Sequence, residues 1–384
     1  MKNKKKLLMF GIALAAFGVT LAASSSLKKS LMSQNMADRW SADGSEYSQV
    51  SVFFPEGSSA STGDTAESIN SFIDSRLKED SYQSSSEDVS VWTKASASVM
   101  TPVQVSVQDE YTGKTNYCQT QQNIMGVSDD FFEFHPLELI SGNYIYPGEL
   151  NRRRAVLDEN AAWQIFSSSD VIGMEFQIYN TVFEVAGVVR AEDNKVVSDV
   201  YPAFPMIYVH YDILEEIGLD SFLMCYEAVV PDPVSNYAKN IILEFFGINT
   251  MAEAEDNSEQ ESTLPVIIVD NTNRYSVSQL WNNLRTFGMN QAVTKPVAYP
   301  YWENAARVTS AWLTLLFFIN IMLAAYIVIV MIVFVSKCYL NRKWHLKDYI
   351  EKFTDKYTYK KKTSDYINVK KNNDSGKEMK YEEF

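Results

Sequence analysis

Ala311 to Val335 reads AWLTLLFFINIMLAAYIVIVMIVFV, a run of 25 residues without a charged side chain. At about 1.5 Å per residue, a helix of this length can cross a hydrocarbon core of about 30 Å. The run is apolar on all sides, whereas a surface helix of a soluble protein keeps a polar face. It predicts a transmembrane helix over 311–336. The other segments can then be assigned to one side of the membrane or the other.

Residues 1–23 read MKNKKKLLMFGIALAAFGVTLAA and combine a basic start with an apolar stretch. This pattern predicts a cytoplasmic N-terminus over 1–6 and a first transmembrane helix over 7–26. A cleaved signal peptide is the alternative, because small residues precede Ser24. We favour an uncleaved anchor. The protein then crosses the plasma membrane twice, with both termini in the cytoplasm and a large domain outside.

The distribution of charge supports this topology. The chain of 384 residues has a formal net charge of −14. The four lysines of the first six residues and the +5 of the tail from Lys337 onward leave −23 for residues 7–336. Short basic flanks stay in the cytoplasm while the acidic middle is exported. An acidic ectodomain also argues against nucleic acid as a partner, because nucleic-acid binding requires a basic surface.

The sequence indicates no catalytic, cofactor or metal site. Its three histidines have no ligand spacing, and it contains neither a nucleophile elbow nor a zinc-protease motif. Thr112 to Thr115 (TGKT) is similar to the end of a phosphate-binding loop, but Gln108 stands where that loop requires its first glycine. We therefore expect the chain not to be an enzyme.

Two cysteines, Cys118 and Cys225, fall in the exported region. A disulfide between them is compatible with an oxidising compartment. Two free thiols are the alternative, which the wide separation of the two residues in sequence favours.

The exported region contains two kinds of sequence. A helical pattern over 65–77, for which Thr65 is the predicted N-cap, follows a strand pattern and is typical of an α+β fold. Residues 121–204 instead carry short strands and turns, including the hairpin pattern MEFQIY and VFEVAGVV. We predict an α+β lobe built from 31–120 and 205–300, with a β-rich lobe inserted over 121–204.

Asn320 interrupts the second apolar run. A buried amide in a membrane helix usually hydrogen-bonds to a partner helix, so Asn320 is a candidate contact between transmembrane helices. An amide satisfied within its own helix, or facing lipid, is the alternative.

Residues 341–357, NRKWHLKDYIEKFTDKY, place apolar side chains mostly on one face of a helix and lysines on the other. This pattern predicts a cytoplasmic amphipathic helix that lies on membrane lipid or contacts a cytoplasmic partner. A membrane-flanking helix without a partner is the alternative. The polar tail over 358–384 is predicted to be disordered. The candidate partner contacts are Trp344, Leu346, Tyr349, Ile350 and Phe353.

Three segments in order resemble a known family. They are IMGVSDDFFEFHPLELISGNYI (124–145), AVLDENAAWQIF (155–166) and DVIGMEFQIYNTVFEVAGVV (170–189). The series is similar to the periplasmic core domain of MacB/FtsX-like ABC transporter permeases. The resemblance implies a porter-like α+β lobe with an inserted β-rich lobe between membrane helices. It also implies that the permease has no catalytic residues and that a separate cytoplasmic ATPase is its partner.

Permeases of this family carry three helices after the ectodomain, whereas we find one, an atypically short membrane region. We therefore expect a permease-like subunit that couples a cytoplasmic ABC ATPase to its ectodomain and needs a second, fuller permease subunit. The transported or bound ligand is not indicated. The alternative is a membrane-anchored extracytoplasmic binding or scaffold protein without an ATPase.

Overall fold

We describe the fold from a computed structural model. It covers residues 2–40, 46–55, 57–82, 90–109, 112–191, 195–198, 200–234, 236–248, 266–286 and 299–378, without the side chains of 2–6, 195, 198, 341–349 and 364–378. Contacts divide the chain into two units, one of 21–318 and one of 1–20 with 319–384. Each unit is described by itself.

The ectodomain belongs to the larger unit and is built on a single sheet. The helices are α1 (Lys2–Ser30), α2 (Met36–Trp40), α3 (Gly63–Glu79), α4 (Phe131–Phe134), α5 (Glu159–Phe166), α6 (Lys195–Ser198), α7 (Ile213–Glu216), α8 (Tyr237–Phe245), α9 (Val277–Arg285) and α10 (Tyr301–Glu378). The strands are β1 (Tyr47–Phe53), β2 (Thr93–Ser98), β3 (Thr101–Val103), β4 (Val105–Gln108), β5 (Thr115–Tyr117), β6 (Gln122–Asp129), β7 (Leu139–Gly142), β8 (Arg154–Asp158), β9 (Glu175–Ile178), β10 (Thr181–Val189), β11 (Met206–His210), β12 (Leu223–Pro231) and β13 (Ile267–Asp270).

The sheet runs in the order β13-β1-β12-β2-β6-β11-β8-β10-β9-β4-β5, with β3 paired to β6 and β7 paired to β10. Most pairs are antiparallel, whereas β6 with β11 and β8 with β10 are parallel. The α+β fold class is confirmed. The two predicted lobes are two halves of one sheet, and they meet where β2 pairs with β6.

The division between these halves differs from the predicted lobe boundaries of 120 and 205. Strands β4 and β5, within the predicted first part of the α+β lobe, pair beyond β9 at the far edge of the second half. Strand β11, predicted to follow the insert, lies between β6 and β8 inside that half. Strand partners are chosen by long-range packing, so local patterns did not locate these boundaries.

Strand β12, the third strand from the β13 edge, is buried on both faces. Tyr226 and Ala228 point into one apolar cluster with α3 and α8, while Cys225 and Val229 point into another that includes the start of α10. A third cluster fills the second half around α5 and α7. Since neighbouring strand residues alternate faces, Glu227 shares the face of Cys225 and Val229.

Thr62 caps helix α3, and the prediction that Thr65 is its N-cap is wrong. The Thr62 hydroxyl accepts a hydrogen bond from the backbone N–H of Thr65 at 3.3 Å. The helix therefore begins earlier than its apolar pattern indicated. An N-cap side chain accepts a hydrogen bond from a backbone N–H two or three residues later, so its position is independent of the apolar period.

The cysteines are free thiols in the structure, so the disulfide between Cys118 and Cys225 is not formed. Cys225 is buried in the cluster beside α10, whereas Cys118 packs at the edge of the second-half cluster. A disulfide requires the two Cα atoms to lie within about 7 Å of each other, and these residues belong to different parts of the core.

Both segments predicted to cross the membrane are helical, within α1 and α10, and among the described residues these two helices are long and apolar enough to do so. Helix α10 starts at Tyr301 and continues to Glu378. Residues 358–378 therefore differ from the predicted disordered tail. They contain no proline and extend a helix that is already nucleated, so each added residue gains a hydrogen bond without a new nucleation cost.

Candidate functional site at the junction of the ectodomain and its second membrane helix

The first turn of α10 is embedded in the core of the ectodomain. Trp302 is 2% exposed, and its ring centroid lies 4.2 Å from that of His135 and 5.7 Å from that of Phe131. The preceding Tyr301 packs against Tyr201, with ring centroids 4.8 Å apart. A fully buried Trp contributes a large apolar contact area, so the start of the membrane helix is firmly attached to the sheet.

A buried ion pair lies beside this aromatic contact. Arg274 Nη1 donates to Glu303 Oε2 at 2.6 Å, and Nη2 donates to Oε1 at 2.9 Å. Arg307 Nε donates to the same Oε1 at 2.8 Å. The Arg274 guanidinium also donates to Gln34 at 3.3 Å, in the turn that follows α1. One cluster thus links α10, the loop before α9 and the outer end of α1.

The charges in this cluster depend on one another because both partners are out of water. Glu303 is fully buried and the Arg274 side chain is 10% exposed. Burial lowers the pKa of Arg274, but the Glu303 carboxylate reverses this effect and holds the pKa above its ordinary value. A buried pair whose partner is removed leaves an uncompensated charge. The cluster therefore fixes Glu303 in place.

A chain of buried polar side chains extends from the same site into the sheet. His135 Nε2 lies 2.5 Å from Glu227 Oε2, and the Ser51 hydroxyl donates to Glu227 Oε1 at 2.6 Å. Asn271 Nδ2 in turn donates to the Ser51 hydroxyl at 2.6 Å. These contacts cross β12, β1 and the end of β13. Trp302 therefore packs against a histidine that is hydrogen-bonded to Glu227 of β12.

The arrangement holds the start of α10 in a fixed position against the sheet, and we call it the joint. Trp302 and Glu303 are consecutive residues, and both are held by the ectodomain rather than by membrane contacts. A close-packed interior transmits displacement because it cannot be compressed. The first turn of α10 is therefore packed as part of the core of the ectodomain.

Sequence reasoning did not find this joint. Trp302 and Glu303 lie just before the apolar run and would be classed with its flank, while Arg274 and His135 are distant in sequence. The available signal was an acidic residue immediately before a membrane helix, since such a charge requires a partner if it is buried.

Asn320, the predicted contact between membrane helices, is 9% exposed. The Thr20 hydroxyl of α1 donates to Asn320 Oδ1 at 2.6 Å, and both residues lie in the smaller unit. The same hydroxyl lies 3.0 Å from the carbonyl oxygens of Ala16 and Phe17. The amide thus bonds to α1 of its own chain, and a role in contacting other subunits stays a prediction.

The predicted cytoplasmic contact residues lie on α10. Ile350 and Phe353 are 59% and 61% exposed. The side chains of Trp344, Leu346 and Tyr349 lie outside those that the structure describes. Their role stays a prediction.

A polar cavity of about 570 Å³ lies in the ectodomain where the two halves of the sheet meet. Lys94 Nζ pairs with Asp129 Oδ1 at 3.7 Å, and burial raises the pKa of Asp129. Arg152 Nη1 lies 3.3 Å from His210 Nδ1, and burial followed by the Arg152 charge lowers the pKa of His210. Both permanent cations of the lining therefore have partners. The carboxylates lining the cavity are Asp64, Glu67, Asp129, Asp212 and Glu215.

Comparison with known proteins identifies the domain. The family described as "MacB-like periplasmic core domain" matches residues 7–261, two thirds of the chain. The chain belongs to this family. The resemblance predicted from 124–189 is thereby confirmed, and the two apolar helices flank the MacB-like domain in a membrane protein.

Two solved structures are similar to parts of this MacB-like chain. The periplasmic region of MacB from Actinobacillus actinomycetemcomitans is 17% identical, with a TM-score of 0.36, over 61% of this chain and 92% of the other. The extracellular domain of the noncanonic ABC-type transporter YknZ from Gram-positive bacteria is 12% identical, with a TM-score of 0.33, over 52% and 91% respectively. None of the curated proteins matches the chain.

Proposed function

We propose that this MacB-like chain is a permease-like subunit of an ABC transporter in the plasma membrane, with both termini in the cytoplasm. Its family membership supports a transport role, and the basic flanks around an acidic ectodomain support the topology. Its own task in such a complex is mechanical. It carries the closure of an ATPase to the ectodomain, and the ATPase performs the catalysis.

The observation that carries this proposal is the burial of the first turn of α10. Trp302 and Glu303 are enclosed by ectodomain residues, while the same helix continues without interruption through the apolar run. In this proposal, a displacement passed along α10 acts on the sheet at Trp302 and Glu303, because a close-packed interior transmits strain.

The proposed partner on the cytoplasmic side is an ABC ATPase, which binds the predicted contact residues Trp344, Leu346, Tyr349, Ile350 and Phe353. Exposure of Ile350, Phe353 and Tyr357 supports this contact, because their spacing of three and four places them on one helix face. A second permease subunit completes the membrane part of the complex.

Affinity purification of the full chain from its native membrane in mild detergent tests the proposal. The wild type should retain an ATPase, identified by mass spectrometry and by ATP hydrolysis. The double variant Ile350→Ser/Phe353→Ser should lose it. The matched control Lys352→Ser/Asp355→Ser changes the opposite face of the same helix and should retain it. Wild-type chain that brings down neither an ATPase nor a second permease would overturn the proposal.

The polar cavity favours a second candidate function, a membrane-anchored binding protein without an ATPase. Five carboxylates line the cavity against two permanent cations, Lys94 and Arg152, so a positively charged ligand group would be preferred. In this case, the Ile350→Ser/Phe353→Ser variant would bind such a ligand as well as the wild type, and no ATPase would be found with either.

A further inference from the structure

Helix α9 is tied to both membrane helices. Lys28 Nζ of α1 donates to the carbonyl oxygen of Tyr275 at 2.7 Å, one residue before the N-cap Ser276. Near the other end of α9, Asn283 Nδ2 donates to the Ser310 hydroxyl of α10 at 3.1 Å. The short helix is therefore held against α1 at its start and against α10 close to its end.

At both attachment points, the charged end of a membrane helix meets its uncharged part. Lys28 is the first charged residue after the apolar part of α1, which extends from Leu7 to Leu27. Arg307 is the last charged residue of α10 before the run that Ser310 precedes. Charged side chains at the ends of a membrane helix lie in the headgroup layer, because their burial in hydrocarbon is costly. Helix α9 thus lies at the level of the headgroups.

The outer face of α9 carries the residues that such a layer accepts. Val277 is 71% exposed and Trp281 is 50% exposed, and Arg285 is also exposed. Their spacing of four places them on one stripe of the helix. Leu280 is 6% exposed and fills the core on another side. Tryptophan and arginine prefer the interface, where one part of the side chain meets apolar surface and another meets water or phosphate.

We propose that α9 is an interfacial helix, whose stripe of Val277, Trp281 and Arg285 rests on the phospholipid headgroups at the membrane surface next to the ectodomain. Phospholipid is the partner that contacts this stripe, because α9 is attached to both membrane helices next to their charged ends. This inference is independent of an ATPase partner.

Fluorescent labelling in proteoliposomes of phosphatidylcholine and phosphatidylglycerol tests the proposal. An environment-sensitive nitrobenzoxadiazole probe is attached to the full chain through Val277→Cys or Arg285→Cys, in a background of Cys118→Ser and Cys338→Ser. These two sites leave Trp281 in place. The matched control is Gln279→Cys, an exposed position about 200° around the helix from Val277. Substitutions at exposed positions should leave the fold intact, and circular dichroism of each variant checks this.

At both stripe positions, we expect probe emission that is blue-shifted relative to position 279 and quenched by lipids carrying a nitroxide near the headgroup. Water-like emission at 277 and 285 equal to that at 279 would overturn the proposal. A blue shift without quenching by the labelled lipid would also overturn it, because protein rather than lipid would then cover the stripe.

Discussion

Arg274 and Glu303 face each other as a bidentate ion pair, with N–O distances of 2.6 and 2.9 Å, at the point where the ectodomain joins its second membrane helix. Removing one partner leaves the other charge buried, which typically costs about 3–5 kcal/mol. We therefore expect Arg274→Met to lower the thermal unfolding midpoint of the detergent-solubilised chain strongly. Circular dichroism measures this effect.

Arg307→Met is the control for this prediction. Arg307 contacts the same carboxylate, but its side chain is 40% exposed, so its loss should cost at most about 1 kcal/mol. If the two substitutions lowered the unfolding midpoint equally, burial of the ion pair would not explain the stability loss.

Two tryptophans near the start of α10 should respond very differently to truncation. Trp302→Ala removes a buried ring that stacks on His135, and should cost about 3–5 kcal/mol. Trp312→Ala removes a ring that is 53% exposed and should leave the free energy of unfolding nearly unchanged in detergent. Denaturant titration compares them. A large loss at Trp312 with none at Trp302 would contradict the description of the joint.

The hydrogen bond between Thr20 and Asn320 should stabilise the pair of membrane helices modestly. Interhelical hydrogen bonds in membranes contribute about 0.6–2 kcal/mol. We expect Asn320→Leu and Thr20→Val to weaken the association of α1 with α10 by similar amounts, and the double variant to lose little more than either one. A double-mutant cycle measured by steric trapping in bicelles tests this coupling. Strictly additive losses would show that the two side chains act independently.

Asp158 should make the stability of the second half depend on pH. Its carboxylate accepts hydrogen bonds from the N–H groups of Ala161 at 2.6 Å and Met206 at 2.8 Å, yet burial raises its pKa from 3.8 to about 6. A raised pKa means that the folded state favours the protonated acid. The resulting stability is present below pH 3.8 and is lost as the pH rises through about 6.

The measurement is the unfolding midpoint of wild type and Asp158→Asn across this pH range. The wild type should lose stability relative to the variant by about 1.4 kcal/mol for each unit of pKa difference. Asp170→Asn, at an exposed position, serves as the control and should follow the wild type. If the unfolding midpoints of wild type and Asp158→Asn changed in parallel with pH, the prediction would be wrong.

Gly187 should tolerate no side chain. A Cβ atom there would lie 2.3 Å from the carbonyl oxygen of Asn143, whose backbone N–H donates to the carbonyl oxygen of Ala186 at 2.9 Å. Gly187→Ala should therefore cost about 1–3 kcal/mol or more. At Gly148 a Cβ atom meets open space, so Gly148→Ala should be nearly neutral. Thermal unfolding distinguishes the two, and equal midpoints would contradict the close approach.

Elements with a strong local period were predictable from the sequence. Helix α3 and the hairpin of β9 and β10 appear where the helical period and the strand patterns indicated them. These signals are local, since each depends on residues within one or two turns of each other. In helix α9 the neighbours Leu280 and Trp281 are both large and apolar, yet Leu280 is buried and Trp281 is exposed. A helical period does not tell which neighbouring side chain faces the core.

The joint could not be predicted in the same way, because its parts come from distant segments. Glu303 is paired with Arg274 across 29 positions, and His135 meets Glu227 across 92. Each of these residues has no distinguishing local pattern. Only tertiary packing brings their charges together, and the family resemblance carried no information about them.

The first and last strands along the chain, β1 and β13, are neighbours at one edge of the sheet. Strand β1 follows α1 along the chain, and β13 precedes α10. The chain between β2 and β12 leaves this edge, builds the second half and returns. The far edge of the second half, formed by β9, β4 and β5, can therefore change in length or sequence without moving the two ends of the sheet that lead to α1 and α10. The part of the same half that carries Phe131, His135 and Tyr201 cannot, because these side chains hold the start of α10.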